Sequence, residues 1–184
     1  RTEFPNGNVQ YYQGEQYAER MVRVVRASGK VQHFEGERGA EWVVRTEFPN
    51  GEVQYYEGDK GAERKVRAEY PDGEVKHYEG EMDVERKVRT EFPNGEVKHY
   101  EGDKGAERKV RADFPDGSVK HYEGERDVER KMRTECLNGE VQYYEGDKGA
   151  ERMVRVEFPN GEVRYYEGGR ARSGADGGPS SEPP

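Results

Sequence analysis

The amino-acid sequence predicts an all-β fold: an elongated, twisted, single-layer antiparallel β-meander built of eight 22-residue β-hairpin repeats. Three observations predict it. Glycine recurs every 22 residues, from Gly7 to Gly161 and again from Gly14 to Gly168. A valine and, three residues later, an aromatic residue recur at the same interval, as in Val53 and Tyr56. Turn signals fall about every ten residues, which leaves room for strands but not for stable helices.

The composition limits what such a chain can build. The protein has 184 residues, a net charge of −8, 38% charged side chains and only 30% hydrophobic ones. Isoleucine is absent and Leu137 is the one leucine, so a thick hydrophobic core is excluded. A chain this polar is often disordered, but a disordered chain has no physical reason to keep its apolar residues at a fixed spacing. The acidic balance makes nucleic acid an unfavourable partner, and no apolar run approaches the roughly 18 residues of a transmembrane helix.

Eight units follow one another without insertion or deletion over residues 1–168. They start at Arg1, Arg23, Arg45, Arg67, Arg89, Arg111, Arg133 and Arg155. Positions 1 to 22 are counted from these arginines below, so that Tyr56 is at position 12 of the third unit. Residues 169–184 are rich in glycine, serine and proline, which predicts a disordered C-terminal tail. The chain starts at a unit boundary without methionine, so its localisation is left open: cytoplasmic for a complete chain, undetermined for a fragment.

Two turn signals divide each unit. Pro49-Asn50-Gly51 suits a type I turn followed by a glycine in the left-handed conformation. Asp59-Lys60-Gly61 offers the same chemistry at the other end of the unit. Asp83 and Asp127 replace that glycine in two units, and aspartate tolerates the same conformation. Two three-residue loops would leave strands of about nine and seven residues per unit.

Three-residue loops also predict the register, since a shift by one residue would exchange the two faces of the sheet. One face is expected to carry the pairs Phe48–Glu52, Thr46–Gln54 and Val44–Tyr56. The other face is expected to carry the pairs Glu47–Val53, Arg45–Tyr55 and Val43–Glu57, with Lys65–Glu79 and Arg67–His77 in the next unit. The first is therefore a Val/Phe/Tyr face, and the second carries Arg, Glu, Lys and Tyr/His columns.

Certain repeat positions are expected to maintain this architecture. The structural residues are Gly51, Val53, Tyr56, Gly58, Gly73, Val75, Tyr78, Gly80, Phe92, Gly95, Tyr100 and Gly102. The most buried side chains are expected to be Phe48, Phe92, Phe114 and Phe158 with Tyr56, Tyr100, Tyr122 and Tyr166. The second unit departs from the pattern, with Arg26 at the Phe position and Trp42 in place of an arginine, which predicts fraying or re-packing around Trp42.

The segment FPNGEVQYYEG (Phe48 to Gly58) and its sister segments resemble the MORN repeats, which carry a Y-x-G step and a D-G turn. The 22-residue period and the two hairpin strands per unit agree with that family. Where MORN repeats usually have further glycines, this chain has Glu63-Arg64-Lys65-Val66-Arg67. A second similarity is to tyrosine-aspartate repeats, which alternate Y-acid-x-x-G with P-D-G. The MORN resemblance implies an elongated one-layer sheet that is a scaffold for protein contacts or binds lipid headgroups.

Histidine occupies one repeat position in four units: His33, His77, His99 and His121. Equivalent positions in adjacent units lie two strands apart, about 9–10 Å, which is too far for two histidines to share one zinc ion. Tyrosine fills the same position in the other units, so the position requires a ring and no metal site is expected.

Charged columns are expected to be structural as well. Arginines beside aromatic rings could bind single-stranded nucleic acid, but interleaved glutamates such as Glu47 cancel the field that phosphate requires. Arginine stacked on Tyr or His rings is expected instead. A solvated face, without convergence on calcium, is expected for the acidic column Glu57, Glu79, Glu101, Glu123 and Glu145.

Catalytic motifs such as G-x-S-x-G, H-E-x-x-H and a phosphate loop are absent from the sequence, and Cys136 stands where other units have phenylalanine. No catalytic, cofactor or metal site is predicted, and the protein is not expected to be an enzyme. The favoured function is a repeat scaffold for protein–protein interaction, with a protein partner or a second copy on the Val/Phe/Tyr face. The alternatives are a MORN-like module that binds lipid or membrane surfaces, and a repeat segment of a larger surface or toxin-like assembly.

Overall fold

The computed structural model describes residues 1–167 and 170–171. Seventeen strands lie in this range, fifteen of five or six residues and two of two residues. They are β1 (Thr2–Glu3), β2 (Val9–Gln13), β3 (Arg20–Val25), β4 (Val31–Glu35), β5 (Trp42–Glu47), β6 (Val53–Glu57), β7 (Arg64–Glu69), β8 (Val75–Glu79), β9 (Arg86–Glu91), β10 (Val97–Glu101), β11 (Arg108–Asp113), β12 (Val119–Glu123), β13 (Arg130–Glu135), β14 (Val141–Glu145), β15 (Arg152–Glu157), β16 (Val163–Glu167) and β17 (Arg170–Ala171). Apart from β17, the predicted tail at 169–184 lies outside the described residues.

Every strand pairs antiparallel with the next strand along the chain, and strands contact only these neighbours. The predicted fold class is confirmed: an all-β, open, single-layer meander with a 22-residue repeat and no helix among the described residues. That part of the chain accordingly offers no helix that could cross a membrane. Within each full unit the strands have six and five residues, shorter than the predicted nine and seven.

The Pro-Asn-Gly and Pro-Asp-Gly turns are three-residue loops, as predicted. The Phe48 N–H donates to the Glu52 carbonyl at 2.8 Å, and the Gly51 N–H donates to the Phe48 carbonyl at 2.9 Å. Gly51 has a φ of +86°, the left-handed region that glycine adopts without strain. A Cβ on Gly51 would lie 2.9 Å from Cγ of Pro71 in the next unit, so successive turns pack closely against one another.

The loops at the opposite edge are longer than predicted. Glu57 pairs with Arg64, so the loop comprises the six residues 58–63 and not a three-residue turn. Gly58, with a φ of +109°, leaves no room for a side chain, because a Cβ would lie 2.4 Å from the Ala62 carbonyl oxygen. The structure therefore requires glycine at this position for the chain to close on itself.

The second glycine of this loop is less constrained. Gly61 has a φ of +82°, but a Cβ there would meet nothing within 4 Å. Asp83 and Asp127 occupy the equivalent position with a φ of +66°, as the sequence predicted.

A β-bulge in the longer strand of each hairpin changes the predicted register. Arg67 lies opposite Tyr55 and Lys65 lies opposite Tyr56, so Val66 is an extra residue between them. The same shift occurs in the corresponding strand pairs of the other units.

The predicted register holds beside the short turns and fails near the long loops. The pairs Thr46–Gln54, Glu47–Val53, Arg45–Tyr55 and Arg67–His77 form as predicted, and Phe48 faces Glu52. The predicted pairs Val44–Tyr56, Val43–Glu57 and Lys65–Glu79 do not form. The strand pairing across each short turn ends at position 1. Glu57 of β6 and Glu79 of β8 pair instead with Arg64 and Arg86 on the other neighbouring strand.

The bulge also redistributes side chains between the faces. Val66 and Arg67 both oppose Tyr55, whereas the Lys65 ammonium lies on the other face, over the Tyr78 ring. The predicted Val/Phe/Tyr face is therefore wrong in one column. The position-21 side chain, Lys65 in the third unit, lies on this face opposite Tyr56, and the position-22 valine lies on the other face. The face with positions 2, 4, 8, 10, 12 and 21 is called the lysine face below. The opposite one, with positions 1, 3, 9, 11, 13, 20 and 22, is called the arginine face.

The most buried side chains are small ones on the lysine face, which contradicts the expectation for Phe and Tyr. At position 2, exposure is 6% or less for Val24, Thr46, Ala68, Thr90, Ala112, Thr134 and Val156. The phenylalanine and tyrosine rings named above are only half-buried. In a single layer the large rings cover the small side chains between them and keep their own outer surfaces exposed, which reverses the usual relation between size and burial.

The second unit is re-packed rather than frayed. Its strands keep the register of the other units, with Trp42 opposite Glu35. The Trp42 ring lies against Gly36, where a Cβ would come within 2.5 Å of it. The altered turn also closes normally, since the Arg26 N–H donates to the Lys30 carbonyl at 2.8 Å.

Candidate interaction surface

Seven lysines form two adjacent columns on the lysine face, one at position 21 opposite the position-12 rings and one at position 10 opposite the small position-2 side chains. They are Lys65 and every eleventh residue after it up to Lys131, one on each strand from β7 to β13. Each ammonium lies over an aromatic ring, at 3.4–3.9 Å from the ring centre of a position-12 tyrosine or at 4.2–4.3 Å from a position-4 ring. These cation–π contacts hold otherwise flexible ammonium groups in a fixed array. The two columns together are called the lysine ladder below.

Burial shifts the pKa values of both partners in this array. Partial desolvation lowers the pKa of the ammonium groups of Lys65, Lys87 and Lys109. It also raises the pKa of the phenols of Tyr56, Tyr78, Tyr100 and Tyr122. In each case the charged form is disfavoured by the loss of water around it, so the ladder consists of cations that are incompletely solvated.

Carboxylates are scarce beside the ladder. Lys76 is paired with Glu74 at 3.3 Å and Lys98 with Glu96 at 3.6 Å. In the part of the chain that the structure describes, no carboxylate oxygen lies within 4.0 Å of the ammonium groups of Lys65, Lys87, Lys109, Lys120 and Lys131. These five ammonium groups thus lie against ring faces without a direct ion pair in that part of the chain, and carboxylates such as Glu85 and Glu52 act on Lys65 only from a longer distance.

The arginine face is built from repeated arginine–tyrosine–glutamate groups. The guanidinium groups of Arg45 and Arg67 lie over the Tyr55 ring at 5.8 Å and 5.4 Å from its centre. The Tyr55 hydroxyl donates to Glu69 at 3.3 Å, and Glu69 also pairs with Arg67 at 2.8 Å. This is the arginine stacking predicted from the sequence, and it balances charge within the face.

Histidine replaces tyrosine in the same arrangement in four units. Each ring nitrogen Nε2 lies 2.8–2.9 Å from a position-3 carboxylate, in the pairs His33–Glu47, His77–Glu91, His99–Asp113 and His121–Glu135. At Asp113 partial burial opposes ionisation, but hydrogen bonds from Arg111 and His99 outweigh it and hold the pKa of the carboxyl below its usual range. Each histidine therefore has its own carboxylate partner, and the structure does not bring the four rings together.

The acidic column of the arginine face is paired with arginines of the following strand. The pairs are Glu57–Arg64 at 3.0 Å, Glu79–Arg86 at 3.5 Å, Glu101–Arg108 at 3.3 Å, and Glu123–Arg130. Near the C-terminal end of the described sheet, a groove of 590 Å³ opens beside Met132, Val154 and Arg155. The position-22 side chains Met132 and Val154 thus line the same groove as Arg155 of position 1.

Side chains join the six-residue loops to the backbone of neighbouring units. The Lys104 ammonium donates to the Asp83 carbonyl at 2.9 Å, and the Lys60 ammonium donates to the Gly39 carbonyl at 2.8 Å. The Glu85 carboxylate accepts the backbone N–H of Lys65 at 3.1 Å. Sequence reasoning missed these contacts, although the acidic residue at position 19 recurs in seven units.

The remaining candidate sites carry no chemistry that the structure brings together. Among residues 1–167 and 170–171, no three His, Cys, Asp or Glu side chains are grouped to hold a metal ion. Cys136 is half-buried at position 4 of the lysine face. Burial, with the nearby carboxylates of Glu140 and Asp116, raises the pKa of its thiol, which disfavours the nucleophilic thiolate.

Comparisons with known proteins yield a distant structural likeness only. No family model matches the chain, and no curated protein matches its sequence. One similar chain belongs to the solved structure titled "Crystal Structure of TcdB2-TccC3"; it is 12% identical, the match covers 86% of this chain and 11% of that chain, and the TM-score is 0.21. A likeness at this TM-score carries no argument about function. The resemblances to MORN and tyrosine-aspartate repeats stay predictions.

Proposed function

We propose that this protein is a non-enzymatic repeat scaffold that binds a protein partner, or a second copy of itself, through the lysine face. The observation that carries the proposal is the lysine ladder, in which cations and half-buried rings are held at fixed spacing across seven consecutive strands. An interface gains affinity when its side chains are already ordered before binding. Aromatic rings are also among the groups enriched at protein interfaces.

The arginine face supports this function less well. Its position-1 arginines stack on tyrosines and pair with carboxylates of the same strand, as Arg67 does with Tyr55 and Glu69. A partner on that face would have to compete with these contacts, whereas a partner on the lysine face meets five ammonium groups that make no direct ion pair among the described residues.

Two pairs of substitutions distinguish the faces. Phe92→Ser with Tyr100→Ser removes two rings from the lysine face, and Glu91→Ser with His99→Ser alters the arginine face in the same units. Sedimentation velocity measures self-association, and co-purification from an extract of the source cells measures binding of another protein. Loss of association in the first pair alone supports the proposal, provided that circular dichroism shows a folded sheet. If the first pair unfolds, the single substitution Tyr100→Ser replaces it. Loss of association in the second pair alone contradicts the choice of face.

Two alternative functions, lipid binding and membership of a larger assembly, are each tested by a separate experiment. A cationic row also suits anionic lipid headgroups, so co-sedimentation with phosphatidylserine vesicles, in the absence of any protein association, would favour a lipid-binding module. The open reading frame that encodes these repeats tests whether they form a segment of a larger surface or toxin-like assembly.

A further inference from the structure

We propose that the lysine ladder binds an extended acidic polypeptide segment in the polyproline II conformation, with a carboxylate at every third residue. This inference rests on the proposed scaffold function and names the chemistry of its partner. The two faces differ in charge balance. On the arginine face the guanidinium groups pair with carboxylates of the same face. On the lysine face, five of the seven ladder lysines have no carboxylate within 4.0 Å among the described residues. Five ammonium groups of the ladder are thus without a direct ion pair in the described part of the chain and can accept a carboxylate from a partner.

The distance between successive position-21 lysines matches the repeat of one partner conformation. Lys65, Lys87, Lys109 and Lys131 lie at position 21 on alternate strands, and two strand spacings amount to about 9.6 Å. A polyproline II chain has three residues per turn and rises about 3.1 Å per residue, so every third side chain returns to the same side after about 9.3 Å. A β-strand partner would present same-side residues every 6.7 Å or so, which does not match this row.

The local chemistry favours carboxylates over denser anions. Lys76 and Lys98 already bind the carboxylates of Glu74 and Glu96, which shows the kind of anion that fits beside these rings. A nucleic acid or a sulfated polysaccharide would bring closely spaced charges against those glutamates and against a chain with a net charge of −8. A peptide with one carboxylate per turn avoids this repulsion, and its apolar residues can contact the tyrosine rings between the ammonium groups.

A labelled peptide of five Glu-Pro-Pro repeats is the probe, with binding measured by fluorescence anisotropy at low and at physiological salt. We expect binding that weakens with salt and is stronger than that of a Gln-Pro-Pro peptide, which lacks charge, or a Glu-Gly-Gly peptide, which lacks the preformed conformation. The variant Lys87→Gln, Lys109→Gln, Lys131→Gln should lose about tenfold or more in affinity. Replacing the same three lysines by arginine keeps the charges and should restore binding.

The matched control is Lys60→Gln, Lys104→Gln, Lys148→Gln, which removes the same charge from the long loops. It should bind the peptide as the unchanged protein does. An equal loss in both triple variants, or equal binding of the Glu-Pro-Pro and Gln-Pro-Pro peptides, overturns the proposal. So does binding of single-stranded DNA, heparin or anionic vesicles without binding of the peptide. A protein partner that the Lys87/Lys109/Lys131 variant retains overturns this inference alone and leaves the scaffold function in place.

Discussion

The Glu107 carboxylate accepts the backbone N–H of Lys87, twenty residues earlier, at 3.2 Å. Its other oxygen accepts the N–H of Gly105 in its own loop at 3.0 Å. The backbone pairing between β9 and β10 ends at Arg89 and His99. The Lys87 N–H therefore has no partner in β10. One acidic side chain therefore bonds a donor left open in the preceding unit, and the carboxylates of Glu41, Glu85, Glu129 and Glu151 make the equivalent bond.

Replacing Glu107 by glutamine should destabilise the sheet. Glutamine keeps one acceptor oxygen and loses the charge that strengthens both hydrogen bonds, so we expect a loss of about 1–2 kcal/mol in the free energy of unfolding, measured in urea. The control is Glu101→Gln, because Glu101 is 62% exposed and pairs with Arg108 on the surface; its loss should stay below about 0.5 kcal/mol. Equal losses would show that the bond between units contributes nothing specific.

The same carboxylates should make stability depend on pH. Partial burial opposes ionisation of Glu107, but hydrogen bonds from its own N–H and those of Gly105 and Lys87 hold its pKa below the usual range; the pKa of Glu129 is lowered in the same way. Because the folded pKa lies below the unfolded one, this stabilisation is complete above about pH 4.3 and is lost as the pH falls through the lower folded value. Urea midpoints measured from neutral to acidic pH should fall in that window, and less steeply in Glu107→Gln than in the unchanged protein.

How far the sequence predicts the structure depends on the range of the interaction involved. The short turns follow from Pro49 and Gly51, whose backbone preferences are local, and the pairing beside them follows from those turns. The bulge at Val66 has no such local signal, because it depends on where the long loop leaves the strand and on which side chains bond its open N–H groups. Without the bulge, Lys65 and Lys76 would lie on opposite faces, so the sequence shows the eleven-residue spacing of the lysines but not that they share one face.

The two glycines of each long loop should tolerate alanine differently. A Cβ at Gly102 would lie 2.6 Å from the Ala106 carbonyl oxygen, whereas a Cβ at Gly105 would meet nothing within 4 Å. Both have positive φ, so Gly105→Ala should cost about 1 kcal/mol for the left-handed backbone alone. Gly102→Ala adds a clash with backbone and should cost about 2 kcal/mol or more. Thermal unfolding of the two variants measures the difference, and a larger loss for Gly105→Ala would show that the loop is closed in another way.

Two threonines of the buried position-2 column should respond in opposite directions to replacement by valine. The Thr134 hydroxyl oxygen is buried without a hydrogen-bond partner among the described residues, whereas the Thr46 hydroxyl counteracts part of the rise that burial causes in the pKa of the Tyr56 phenol. Valine has nearly the same shape as threonine, and Val24 and Val156 occupy the same column at 2% exposure, so neither replacement should create a cavity or a clash.

Thr134→Val removes an unsatisfied polar group and should raise the free energy of unfolding by about 0.5–1 kcal/mol. Thr46→Val removes the hydroxyl that acts on the Tyr56 phenol and should lower the free energy of unfolding by a similar amount. Urea denaturation of both variants under the same conditions checks the pair. A loss in Thr134→Val as large as that in Thr46→Val would mean that the Thr134 hydroxyl does have a partner in solution, and that the two units are packed alike.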